Sequence, residues 1–266
     1  MCIRDRGQPP EAEAVKQLLY LWGPRPLPEA VDWVRTRAAS APPDQLAGWI
    51  GHLDYLDAPD AVVGILEIRA DLLSRQPGLI ESYVTALERL GTPRRGLPLL
   101  QRALAETHDP MVFSMIGRAA EAMERPLLAL QADAAAVAAR PQDPAARLAA
   151  ARAALAARRP SEAARDYEAL LALHSQPPRV LLEAGEALTA ANHADRATPL
   201  FAAALATLPT HDTSTDDQRL RAQVLRHTAH VTEAALLLRQ LLMRHPDDAG
   251  VQADLLEIQM ATGGGH

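Results

Sequence analysis

The feature that most constrains this chain is a self-similarity at 34 residues: Ala163, Tyr167 and Leu171 meet Ala197, Phe201 and Leu205 one step later. One step back from Ala163 lies Ala129, and Ala151 in the preceding stretch is flanked at the same interval by Gly117 and Gly185. A repeat of this length marks stacked supersecondary units, since one unit cannot cover its own apolar face and its neighbours must do so. The units read as helix. Runs such as ADAAAVAAR and AARLAAARAALAARR are rich in alanine, the residue with the best intrinsic helix propensity. Prolines stand near the expected helix starts, where the missing N–H is not needed.

The register resembles the tetratricopeptide repeat. That pattern has a small residue in the first helix, an Ala followed four positions later by an aromatic in the second, and a closing Pro. Here the small residue is Gly117, Ala151 and Gly185, the Ala–aromatic pair is Ala163 with Tyr167 and Ala197 with Phe201, and the closing prolines are Pro141, Pro209 and Pro246. Asp133 stands where the unit around Ala129 would carry its aromatic, and Ser175 replaces a closing proline, so the chain is identified as a divergent member of the superfamily. The resemblance implies an all-α fold, a right-handed α-solenoid of antiparallel helix pairs. Two helices cross closely where one side chain is Gly or Ala, and the bulky Tyr or Phe fills the space toward the next pair.

Extending the register outward gives helix pairs at roughly 11–39, 43–75, 78–107, 110–139, 143–174, 178–208 and 218–245, and a single helix at 248–262. Gly91 marks an inter-helix turn, and Gly96 a close-packing position 33 residues before Ala129. The polar loop THDTSTDD accounts for the longer step of 37 between Ala197 and Ala234. The array is expected over residues 7–262, with 263–266 a flexible tail or truncation point. Residues 1–6, MCIRDR, back-translate to the end of a common transposase sequencing adapter run into an open reading frame. They are set aside as a disordered scar on a metagenomic fragment whose native start lies upstream.

Composition narrows the function. Aromatic residues make up only 3% of the chain, which suits stacked helices with Ala and Leu contacts. A net charge of −6 argues against a general nucleic-acid binder, which needs Lys and Arg to neutralise phosphates. No apolar run approaches the roughly 20 residues of a membrane-spanning helix. With Cys2 set aside there is no thiolate for a disulfide or a metal. His227 and His230 are read as solvated turn histidines without a third ligand, and the glycines of TGGGH follow a helix and form no phosphate cradle. Trp22, Trp33 and Trp49 are read as core packing. No catalytic, cofactor or metal residue is expected, and the chain is expected not to be an enzyme.

The resemblance implies a concave face built from the first helix of each pair. On it Arg118, Arg152 and Glu186 form one column, Glu121, Leu155 and Thr189 a second, and Ser114, Leu148 and Leu182 a third. The expected partner-binding residues are Arg118, Glu121, Leu148, Arg152, Leu155, Leu182 and Glu186. Two arginines beside a leucine strip suit a protein or peptide with acidic residues flanking an aliphatic anchor. The Asn and Lys of the carboxylate-clamp version are not found at these positions. The expected function is a non-catalytic protein–protein interaction scaffold. The stretch LYLWGPRPLPEAVDWV is similar to repeats of periplasmic scaffolds in bacterial exopolysaccharide secretion, which would imply a much longer parent protein with an outer-membrane barrel or a lipid anchor. The alternative is the helical regulatory arm of an enzyme or transcription regulator. Homo-oligomerisation through uncapped ends stays open, as does the choice between periplasm and cytoplasm.

Overall fold

The computed structural model describes residues 28–208, 214–228 and 230–263. The expectations for residues 1–6, for the first helix of the first pair, for Trp22, for most of the THDTSTDD loop and for the last residues of the tail lie outside that range.

The described residues form fourteen α-helices and no strand. They are α1 (Pro28–Ser40), α2 (Pro43–Tyr55), α3 (Pro59–Ile68), α4 (Pro77–Arg89), α5 (Leu97–Glu106), α6 (Pro110–Ala122) and α7 (Pro126–Ala139). There follow α8 (Pro144–Ala156), α9 (Pro160–Leu171), α10 (Pro178–Ala190), α11 (Ala194–Thr207), α12 (Thr215–Arg226), α13 (Val231–Arg244) and α14 (Ala249–Gly263). Proline opens most of them at a position where its missing N–H has no intrahelical partner and its fixed φ favours the helix. Asp109, Asp143 and Ser214 cap α6, α8 and α12 through their side chains. α3 is cut short at Ile68 and followed by a 3₁₀ turn at Ala70–Leu72, and a second such turn, Pro93–Gly96, leads into α5.

The repeat is written in the backbone at the turn inside five of the pairs. Asp57, Gly91, Glu124, Arg158 and Asn192 all have positive φ, between 55° and 67°, and follow one another at 34, 33, 34 and 34 residues. At each turn the next N–H reaches back to close a Schellman motif: Ala58 to the Leu53 carbonyl, Thr92 to Leu87, Arg125 to Ala120, Arg159 to Ala154 and His193 to Leu188, at 2.8 to 3.1 Å. Glycine holds only one of the five positions. The others accept a strained φ because the same hydrogen bond ties the chain back at every turn.

Within a pair, the small residue of the first helix meets a side chain 16 positions later in the second. A Cβ added to Gly185 would stand 2.4 Å from Cε1 of Phe201, and one added to Gly117 would stand 2.1 Å from Oδ1 of Asp133. The intervening unit has the same arrangement with Ala151 opposite Tyr167, both fully buried. Glycine is therefore required at 117 and 185 by contact, not by φ.

The chain divides after Arg140 into two compact units. The first holds α1 to α7 around a core that includes Leu46, Ile50, Leu66, Ile80, Tyr83, Leu87 and Leu100. Trp33 and Trp49 meet edge to face at 5.9 Å in this unit and pack with its core, with Arg37 over the Trp33 ring. The second holds α8 to α14. One of its apolar clusters gathers Leu182, Leu188, Phe201, Leu220 and Val224, and another Leu225, Leu238, Leu241, Val251 and Ile258.

Gly185→Ala is expected to lower the unfolding free energy by about 1–3 kcal/mol, the usual effect of overpacking a fixed contact. Gly64→Ala in α3, where an added Cβ meets nothing within 4 Å, should instead gain roughly 0.5–1 kcal/mol from helix propensity. Urea denaturation of the two variants checks both signs, and a neutral Gly185→Ala would contradict the packing described.

Candidate partner-binding face

The rows expected to face outward on the first helices are Ser114, Arg118 and Glu121 on α6, Leu148, Arg152 and Leu155 on α8, and Leu182, Glu186 and Thr189 on α10. Arg118 and Glu121 belong to the first unit, and Leu148, Arg152, Leu155, Leu182 and Glu186 to the second.

In the second unit the charged members are bound by the chain itself. Arg152 makes a bidentate pair with Glu183, at 2.9 and 3.0 Å, and the Tyr167 hydroxyl donates to the same carboxylate at 2.9 Å. Burial first, and then that carboxylate, hold the Tyr167 phenol well above its ordinary range. Glu186 accepts from Arg226 at 3.2 Å and contacts His227 Nε2 at 2.9 Å, and Arg226 also pairs with Glu257. Asp254 accepts from Arg219 at 2.6 Å and from Gln223 at 2.9 Å. Arg152–Glu183 and Gln223–Asp254 are the same contact two repeats apart, each spanning 31 residues. These bonds tie α8 to α10, α10 to α12 and α12 to α14.

Two sequence expectations need correction here. Leu182 is buried, 4% exposed, in a cluster with Ala164 of α9, Phe201 of α11 and Leu220 and Val224 of α12. Leu148 and Leu155 are half-buried, so the three leucines form no continuous exposed strip. His227 is likewise no solvated turn residue. Its ring stacks on Phe201 at 4.7 Å and its Nε2 meets Glu186. His230 is exposed, and among the described residues no group of three or more His, Cys, Asp or Glu could hold a metal.

The first unit is different. A recess of about 170 Å3 lies between α4 and α6, with Ile80, Val84, Met115 and Ala119 among the residues lining it and Glu81, Thr85, Glu88 and Arg118 bringing polar groups to it. Glu81, Thr85 and Glu88 are exposed, and they occupy on α4 the same outward row that Ser114, Arg118 and Glu121 occupy on α6, 33 residues earlier. Among the described residues neither glutamate has an ion-pair partner, and Arg118 is held only by contact with Met115, at 2.7 Å from its sulfur. The sequence columns stopped at α6 and so missed the α4 row. The step of 33 from Gly96 to Ala129 was the signal that would have reached it.

Beneath α6 lies Asp133, 2% exposed, with Oδ2 making no hydrogen bond. Burial, with a smaller contribution from Glu121, pushes its carboxyl up to about 7.

Among solved structures, the chain is similar to the C-terminal part of a tetratricopeptide repeat protein from Cytophaga hutchinsonii. The TM-score is 0.54 at 15% identity over 92% of this chain and 99% of that one. The fold is that of the tetratricopeptide repeat. A thermophilic tetratricopeptide repeat protein of Thermus thermophilus aligns at TM-score 0.47 and 18% identity over 70% of this chain and all of that one. YrrB, described as a tetratricopeptide repeat protein with an unusual peptide-binding site, aligns at 0.42 and 14% over 63% and 85%. No family model matches the sequence, and neither does any curated protein sequence. In tetratricopeptide terms, Asp133 fills the slot that Tyr167 and Phe201 fill in the next two repeats.

Asp133 makes stability depend on pH with a definite sign. A carboxyl raised from 3.8 when unfolded to about 7 when folded is fully stabilising only below the lower value, and that stability is lost as pH rises toward 7. The protein is expected to melt lower at pH 8 than at pH 5, and Asp133→Asn to shrink that difference. Melts of both proteins at the two pH values check it, and an unchanged difference in the variant would show that Asp133 is ionised in the fold.

Proposed function

We propose that residues 7–262 act as one non-catalytic scaffold for protein–protein interaction, holding a peptide or an extended segment of a partner on the face made by the first helices. One observation carries this reading: α4 and α6 leave between them a recess that helix packing does not fill, bordered by charged side chains with no ion-pair partner among the described residues. Grooves of this kind take segments whose apolar side chains supply affinity and whose charges set the partner. No helix among the described residues is long and apolar enough to cross a membrane. The fold supports the reading, since stacked helix pairs offer a long ordered surface in return for few buried polar groups.

Selection of phage-displayed random peptides against the whole chain tests this. Selected peptides should bind at micromolar strength and lose at least ten-fold in affinity to Thr85→Trp, which fills the recess from an exposed position. They should bind Leu127→Ser, altered on the opposite helix of the pair, unchanged. Failure to select any peptide, or binding indifferent to Thr85→Trp, would contradict the proposal.

A further inference from the structure

We infer that the recess between α4 and α6 takes a cationic segment, one carrying Lys or Arg beside an aliphatic side chain. The inference rests on the scaffold reading above and adds the partner's chemistry. It reverses the acidic partner that Arg118 and Arg152 suggested in the sequence.

The argument begins with which charges are available. Arg152 is neutralised by Glu183, so it presents little positive field to a partner. Arg118 stands alone as the cation of the recess, against Glu81 and Glu88. These glutamates are seven residues apart on α4, about 10 Å along the helix axis at 1.5 Å per residue, and both are exposed at their end of the row. Among the described residues the local balance is therefore one cation against two anions, none of them in an ion pair.

The molecule itself shows what carboxylates in these rows bind. In the second unit Glu186, on the outward row of α10, is met by the guanidinium of Arg226, which reaches Glu257 as well. Asp254 is met by Arg219 in the same way. There α8 and α12 supply the cations, and α10 and α14 the carboxylates they meet. On α4 no such cation arrives: Arg89 turns to Asp54 and Asp57, and Arg95 to Glu67. Thr85 stands on α4 where Glu186 stands on α10, and Glu81 and Glu88 flank it with no ion-pair partner among the described residues.

The apolar lining sets the second requirement. Ile80, Val84 and Ala119 are buried at the base and Met115 is half-buried, so the recess can cover one aliphatic side chain. Methionine adapts its shape to such a guest. Arg118, across from the glutamates, repels a cation on its own side and donates to a backbone carbonyl or a carboxylate there. An entering segment is thereby oriented, its cation toward α4. Charge here selects the partner and speeds its approach, while the aliphatic contact holds it.

The test uses the whole chain and the phage-displayed random peptides, then titration calorimetry with the strongest synthetic peptide. Selected sequences should be enriched in Lys or Arg within two positions of Leu, Ile or Val. Affinity should fall at least ten-fold in Glu81→Gln/Glu88→Gln and weaken between 50 and 500 mM salt. Both sites are exposed, so the variant should keep its melting temperature. In Glu81→Lys/Glu88→Lys, the peptide with its cation replaced by Glu should bind better than the original. Peptides that compete for the Thr85→Trp site yet lack basic residues, or ignore both double variants, overturn the cationic partner and leave the scaffold standing. Acidic peptides that depend on Arg118 also overturn it. If no peptide is selected, the scaffold reading fails and this inference with it.

Discussion

The structure depends on one close approach repeated along the chain: a first helix that brings Gly or Ala against a side chain 16 residues later. At Gly185 the guest is the Phe201 ring, at Ala151 the Tyr167 ring, and at Gly117 the Asp133 carboxylate. A larger residue at these places would push the two helices apart, and the next pair would lose its seat. The five left-handed turn residues keep the pairs in step, since each closes its turn with the same backbone bond. Asp133 departs from this scheme. It brings a polar atom with no hydrogen bond into a slot that elsewhere stabilises by apolar contact, and its carboxyl responds by holding its proton to higher pH.

Once the pairs are fixed, the outward rows of the first helices can do one of two things. In the second unit they tie helix to helix through Arg152–Glu183, Glu186–Arg226–Glu257 and Arg219–Asp254. Most of these side chains are partly exposed, so each pair is worth about 0.2–1 kcal/mol, and their larger effect is to use up the charge a partner would read. In the first unit the row between α4 and α6 is not closed in this way, and a recess remains. On the proposed function, packing and binding draw on the same rows, and the choice of side chain in each row decides between them.

Much of the fold was legible because helix pairing obeys a local rule. The 34-residue step, the alanine runs and the prolines at helix starts place α6 to α11 within a few residues of their observed bounds. The face was less legible. Leu182 is buried in a cluster drawn from α9, α10, α11 and α12, which a reading of its own column does not see. The pairing of Arg152 joins residues 31 apart across two repeats, and a single-helix reading of the column sees the arginine without its partner. The α4 row was within reach of the sequence, since a step of 33 from Arg118 lands on Thr85, with Glu81 and Glu88 on either side.

The central claim is that the two units use equivalent rows for different ends, one for self-pairing and one for a partner. Amide hydrogen exchange, with and without a saturating peptide, tests it most directly because it reports on every first helix at once. The account predicts new protection confined to Pro77–Arg89 and Pro110–Ala122, with Pro144–Ala156 and Pro178–Ala190 unchanged. Protection appearing on those last two helices and absent from the first two would contradict it.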